Sequence, residues 1–213
     1  MPNWSKLIEA KIRLARLGAK RSKPGENQRV PPGQKVVSDF PVLDLGLAPQ
    51  VTQASWRLRL SGLVEQEIAL DWAAFRALPQ VRDVSDFHCV TRWSRLDMDW
   101  EGVRVRELVM LVRPAEQARF VTLYAADGYT TNLPLDALLD DDVLVAHSVL
   151  GKPLSAEHGG PVRMVVPKRY AWKSAKWLSG IEFHAEDRPG FWETRGYHNE
   201  ADPWKEQRFD SDA

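Results

Sequence analysis

The apolar positions of residues 3–20 fall near one stripe of a helix: Trp4, Leu7, Ile8, Ile12, Leu14, Ala15 and Leu17 recur at helical spacing, and Gly18 offers a stop. From 56 to 61 the period shortens to two. Trp56, Leu58 and Leu60 alternate with Arg57, Arg59 and Ser61, which predicts a strand with one wet face. Asp71 is placed to cap a short helix that must end before Pro79. Further strands are predicted over 81–91, 119–125, 142–149, 162–166 and 177–185, and helices over 103–112 and 135–139. Pro24-Gly25 and Pro31-Pro32-Gly33 make 21–35 a linker, 39–46 reads as extended, and Gly151-Lys152-Pro153 turns the chain. Past Arg188 the sequence is aromatic, rich in Pro and Gly and weakly periodic, which suits a segment wrapped over a surface. Strands dominate and do not alternate regularly with helices. The expected fold is therefore α+β, with strand-rich mixed sheets and short peripheral helices. Two parts are expected: a basic helix and linker over 1–35, and a body over 36–213 with a wrapping C-terminal tail.

Composition narrows the class. Of 213 residues, 44% are hydrophobic and 27% charged, the balance of a globular chain, which excludes collagen, coiled coil and full-length disorder. No window of about 18 apolar residues is present to span a membrane. The opening Met1-Pro2-Asn3-Trp4-Ser5 leads into no apolar run of the signal-peptide kind, so a cytoplasmic location is expected. Net charge is +0 but uneven: residues 1–35 carry nine Lys/Arg against two Glu, leaving the body correspondingly acidic. Such an arm suits its own body, an acidic partner or an anionic cofactor, and residues 1–20 could also lie on an anionic membrane surface; packing on the body is the favoured alternative. No basic face is readable in the body, so no nucleic-acid partner is expected. One cysteine, Cys89, excludes an internal disulfide and fits a reducing compartment.

Four segments carry candidate chemistry. In Asp86-Phe-His-Cys-Val-Thr-Arg-Trp-Ser94, Cys89 has His88 and Arg92 nearby, and positive neighbours favour the thiolate that binds soft metals. Neighbouring strand residues point to opposite faces, so His88 need not touch Cys89; a buried structural cysteine is the plain alternative. In Glu157-His-Gly-Gly-Pro-Val-Arg163, paired glycines permit close approach to a ligand and His158 and Arg163 suit an anion, although an ordinary turn entering a strand reads equally well. Residues 167–177 hold Lys168, Arg169, Lys173 and Lys176 with three aromatics and Ser174. Lys173, Ser174 and Lys176 suit a phosphate clamp, and a solvated basic loop is the alternative. Trp192, Tyr197 and His198 could line a pocket or simply cover a core edge. No nucleotide-binding glycine loop, HExxH, GxSxG or paired CxxC is present.

In order, a lone cysteine, His-Gly-Gly-Pro-Val-Arg and Lys-Ser-Ala-Lys-Trp resemble the molybdopterin-binding domain of the sulfite oxidase family over roughly residues 36–200, with Asp142-Val-Leu-Val-Ala and Gly151-Lys-Pro-Leu as the lead-in. The Cys-Val-x-x-Trp-Ser pattern and the chain's size look closer to that family's protein-methionine-sulfoxide reductase branch, which carries a twin-arginine export signal where this chain shows none. The resemblance implies a sulfite oxidase-type fold and a molybdenum–molybdopterin cofactor with a single pterin. It implies Cys89 as the molybdenum ligand and Tyr197 as the tyrosine facing substrate. Asp39, Phe40, Leu43, His158, Arg163, Lys173, Ser174, Ala175 and Lys176 then fall at or beside cofactor-binding positions. It departs in one place: the family's sulfite-binding arginine upstream of a Pro-Val pair has no counterpart before Pro41-Val42, where Arg92 or Arg169 could substitute. The function implied is oxygen-atom transfer to or from a sulfite- or sulfoxide-type substrate, small or peptide-bound. Electrons would pass to an external haem or flavin partner, since no second redox motif is present. A catalytically silent cofactor- or anion-binding module of the same fold is the alternative.

Overall fold

The alternating stretch at Trp56 forms β2 (Arg57–Gly62), with Leu58 and Leu60 fully buried and Arg57 and Arg59 exposed. These assignments come from a computed structural model that describes residues 4–16, 29–44, 46 and 48–212. β2 pairs antiparallel with β3 (Ile68–Asp71) and parallel with β11 (Leu178–His184); β11 continues to β6 (Phe120–Ala125) and β7 (Thr130–Pro134) in antiparallel register. Asp71 does cap α2 (Trp72–Ala77): its Oδ1 accepts the Ala74 amide at 2.9 Å, and the helix stops at Leu78 ahead of Pro79.

The second sheet is organised by β5 (Trp93–Arg104). It pairs with β4 (Val81–His88) along one edge, and with β1 (Lys35–Val36) and β8 (Leu144–Val149) on the other. β8 in turn carries β9 (Lys152–Pro153) and β10 (Arg163–Val165). Gly102 makes the β5–β8 approach possible, since a Cβ there would lie 2.1 Å from the Val145 carbonyl oxygen. The helix expected from 103 begins later, as α3 (Val105–Val112), because β5 runs on through Arg104. Val105, Leu108 and Val112 make its buried face, at the spacing of an amphipathic helix, against β2, β6, β8 and β11. Five strands were not foreseen: β1, β3, β5, β7 and β9. The architecture is nevertheless the strand-rich α+β arrangement expected.

Helix α1 (Trp4–Arg16) realises most of the N-terminal helix; positions 17–20 of that expectation, and 21–28 of the linker, lie outside the described residues. Ala15 is fully buried and Ile12 packs beside it in a cluster with Cys89, Tyr170 and Tyr197, so α1 sits on the body. The boundary expected at 35/36 therefore needs correction. It cuts through β1, and Arg29 already bonds Asp86 and Asp97 of the body.

Candidate active site

The ends of β4 and β10, the loop 171–177, the strap 40–44, the tail and α1 surround one cavity of about 210 Å³. Cys89 follows directly on β4, one residue past the strand. Its amide donates to the Trp93 carbonyl (2.9 Å), and the Arg92 amide, in left-handed conformation, returns to the Cys89 carbonyl (3.0 Å). Gln34 and Arg208 brace this turn from outside through the carbonyls of Cys89 and Val90. The thiol thus faces the cavity at the start of a rigid turn, with Thr91 Oγ1 at 3.1 Å from Sγ.

The expectation that His88 and Arg92 would favour the thiolate is corrected. Burial raises the Cys89 pKa above its ordinary value; the Thr91 hydroxyl and the Arg208 charge offset this only in part. The His88 ring lies on the other side of the strand, bonded to Ser94 Oγ (2.8 Å) and edge-on to Trp204, and burial pushes its pKa down to about 4. It is neutral and supplies no charge.

The anion-binding expectations concentrate on the opposite wall. Arg163 is fully enclosed. Its guanidinium donates to the carbonyls of His158 (2.9 Å), Ser174 (2.9 Å) and Met164 (3.3 Å), and lies within 6 Å of the Phe40, Phe87 and Trp100 rings. Among the described residues no carboxylate pairs with it, and burial lowers its pKa to about 9. Lys176, pushed down to about 8 by burial and by the Arg163 charge, donates to the Glu157 carbonyl and has Asp44 at 3.9 Å. A Cβ on Gly159 would lie 2.8–3.0 Å from Lys176 Cα, Cβ and Cγ, so this glycine, at φ +98°, is what allows the two loops to touch. The fully buried Arg163 and the largely buried Lys176, with Asp44 and Asp127 as the carboxylates acting on Lys176, make an enclosure suited to a multiply charged anion.

Nine expected site residues meet at this cavity: Cys89, Tyr197, Phe40, Leu43, His158, Arg163, Ser174, Ala175 and Lys176. Two do not, and these are corrections. Asp39 is exposed because neighbours in an extended strap face opposite ways, and here Phe40 turns inward. Lys173 is fully buried on the far side of its loop, donating to the Asn132 carbonyl (2.8 Å) and paired with Glu193 (2.7 Å). Glu193 Oε1 also accepts from Trp172 Nε1 and Thr131 Oγ1, so Lys173 fixes the aromatic wall rather than a ligand. His198 likewise stays outside, whereas Trp192 lines the cavity. Arg92 and Arg169 do not reach it either; Arg169 faces Glu200.

Reading by motif missed Lys11, Leu14, Asp127 and Tyr129, all of which line the cavity. Tyr129 bonds the Trp172 carbonyl at 2.6 Å. The helical stripe containing Leu14 was the available signal for α1; what it would cover was not encoded locally.

A mixed-sheet α+β body with one thiol and two buried, undercompensated cations on a shared cavity defines a domain that holds an anionic, metal-bearing cofactor. The donor set fits such a group: a soft sulfur ligand at one end, charge-assisted donors at the other, and no cluster of three His, Cys, Asp or Glu among the described residues to bind a metal otherwise. Residues 45–192 match the oxidoreductase molybdopterin binding domain, and the chain belongs to that family. It is an oxidoreductase of the sulfite oxidase family with a molybdenum–molybdopterin cofactor.

Its relatives include the uncharacterized oxidoreductase YuiH of Bacillus subtilis, 46% identical over 185 residues, 86% of this chain and 93% of that protein. The putative protein-methionine-sulfoxide reductase subunit YedZ1 of Azospira oryzae is 31% identical over 149 residues. The catalytic subunit MsrP of Campylobacter jejuni protein-methionine-sulfoxide reductase is 28% identical over 167 residues. Each of these two matches takes in 70% of this chain and 56% of the relative, so this chain spans about half of their length. The crystal structure of the sulfane dehydrogenase SoxCD from Paracoccus pantotrophus shares the fold, with a TM-score of 0.60 and 19% identity over 66% of this chain and 41% of that one.

Proposed function

We propose that this oxidoreductase moves an oxygen atom to or from an oxidised-sulfur substrate, exchanging electrons with an external haem or flavin partner. The observation that carries the reading is the placement of Cys89 Sγ and the Arg163–Lys176 pair on one cavity. Cys89 would hold the molybdenum, and Arg163, Lys176 and backbone donors of the 174–176 loop would hold the pterin phosphate. When bound, that centre supplies two-electron oxygen-atom transfer at sulfur.

The chain's own residues arrange the rest. The 89–93 turn fixes the sulfur, so the ligand does not have to be ordered on binding. Trp93, Trp172 and Trp192 exclude water from the cavity and so strengthen the electrostatic contacts inside it. Tyr197, wedged between Trp172, Trp192 and Phe209, has its pKa raised by burial and by the nearby Cys89 sulfur, so it keeps its phenol proton and is placed to donate to a substrate oxygen.

Metal and pterin analysis of protein from a molybdenum-replete host, for wild type and Cys89→Ser, tests the reading. We expect stoichiometric molybdenum and turnover of sulfite or a sulfoxide in wild type, and neither in the folded variant. Cofactor without turnover of either substrate would leave a binding module. A Cys89→Ser variant that keeps its activity would refute the ligand role.

A further inference from the structure

Helix α1 reaches the cavity with two side chains, Lys11 and Leu14. It is anchored by the fully buried Ala15, by Ile12, and by Arg16, whose guanidinium lies 5.0 Å above the Phe209 ring. Leu14 stays 56% exposed at the rim, so α1 forms an edge of the opening rather than a sealed wall. Lys11, half-buried, differs from every other cation there. Arg163 and Lys176 spend donors on backbone carbonyls, whereas Lys11 has no hydrogen bond or ion pair among the described residues. Burial lowers its pKa, and the acidic groups near enough to act against that are Asp44 and the Cys89 thiol. The surfaces near the thiol are otherwise apolar or aromatic: Val90, Trp93, Trp172, Trp192 and Tyr197.

We propose that Lys11 is the recognition group for an anionic substrate, an oxyanion of oxidised sulfur that enters along α1 and meets the ammonium before the Cys89 end of the cavity. This rests on the oxygen-transfer reading and adds to it the charge of the substrate and the residue that selects that charge. A partly desolvated ammonium with unused N–H donors forms strong charge-assisted hydrogen bonds, which an uncharged sulfoxide reproduces poorly. The phosphate end is already served by Arg163 on β10 and Lys176 on the loop after it, and Lys11 faces Lys176 across Asp44 from the side of α1.

The test compares cofactor-loaded wild type, Lys11→Gln and Lys11→Arg. Metal and pterin content is measured first. Sulfate, a redox-inert oxyanion, and dimethyl sulfoxide, an uncharged sulfur–oxygen probe, are then titrated by tryptophan fluorescence. We expect equal cofactor content in all three, sulfate binding weakened about tenfold or more in Lys11→Gln and retained in Lys11→Arg, and dimethyl sulfoxide binding unchanged. Three results overturn the proposal: unchanged sulfate affinity in Lys11→Gln, equal weakening of both probes, or cofactor lost from Lys11→Gln alone, which would assign Lys11 to the pterin phosphate. Absence of molybdenum from wild type would sink the oxygen-transfer reading instead, and the sulfate difference is still scored on that protein.

Discussion

His158 Nε2 donates to the Phe40 carbonyl oxygen at 2.9 Å while the imidazole lies flat on the Phe40 ring, 4.3 Å between centroids at 11°. Because that carbonyl can only accept, Nε2 carries a proton, and Nδ1 hydrogen-bonds with the Ser155 hydroxyl at 2.8 Å. One histidine therefore pins the 40–44 strap to the 155–160 loop. His158→Ala should lose the hydrogen bond and the stacking, a cost of about 1–2 kcal/mol, and should loosen the strap over the cavity. Iodoacetamide should then reach Cys89 several-fold faster in the metal-free protein. An unchanged labelling rate would show that the strap is held by something else.

Cys89 itself makes a pH prediction. Its folded pKa is raised above the ordinary 9.0 by burial, so the metal-free thiol is protonated at neutral pH. A metal must displace that proton, which makes affinity fall by about tenfold per unit drop in pH. In His158→Ala, where access is not limiting, alkylation should stay slow through pH 8 and rise only above 9. A labelling midpoint below pH 8 would contradict the picture of a thiol whose burial outweighs its positive neighbours.

How far the sequence exposed this site depended on whether the controlling contacts were local. β2 and α3 alternate or repeat cleanly, and their buried faces follow directly from the pattern. β5 has the same alternation, with Ser94, Met98, Trp100 and Gly102 buried, but two of those are small or polar and Arg95, Asp97, Asp99 and Glu101 between them read as a solvated charged run. The pocket residues on 158–176 were legible from their family pattern. Lys173 belongs to that run yet faces away, because its ammonium is captured by Glu193, twenty residues further on, in a tail without periodicity. Lys11 was assigned to a separate arm because only the fold brings residue 11 to residue 89.

His88 should shape acid stability. Its folded pKa of about 4 lies below the ordinary 6.5, so the unfolded chain binds the proton more readily. Stability is therefore complete above pH 6.5 and is lost as pH falls from 6.5 toward 4, by at most about 3 kcal/mol for this group. The His88→Gln variant, which has no proton to take up, should show a flatter dependence of its urea midpoint across that window. Parallel profiles for the two proteins would remove His88 from the account.

The Lys173–Glu193 pair predicts how the cavity fails when its outer support is cut. Both side chains are almost completely enclosed, with Nζ 2.7 Å from Oε1, and the same oxygen holds Trp172 Nε1 at 3.0 Å and Thr131 Oγ1 at 2.8 Å. Removing one partner leaves the other charge buried without compensation, which costs about 3–5 kcal/mol. Replacing both removes the charges together and should cost less than the sum of the single changes. Glu193→Gln and Lys173→Met should each lower the urea midpoint strongly, and the double variant should recover part of the loss. Since Trp172 lines the cavity beside Tyr197, the double variant should also turn over substrate more slowly while keeping its molybdenum, because Cys89, Arg163 and Lys176 are untouched. Loss of molybdenum from that variant would mean that Lys173 belongs to the cofactor site after all.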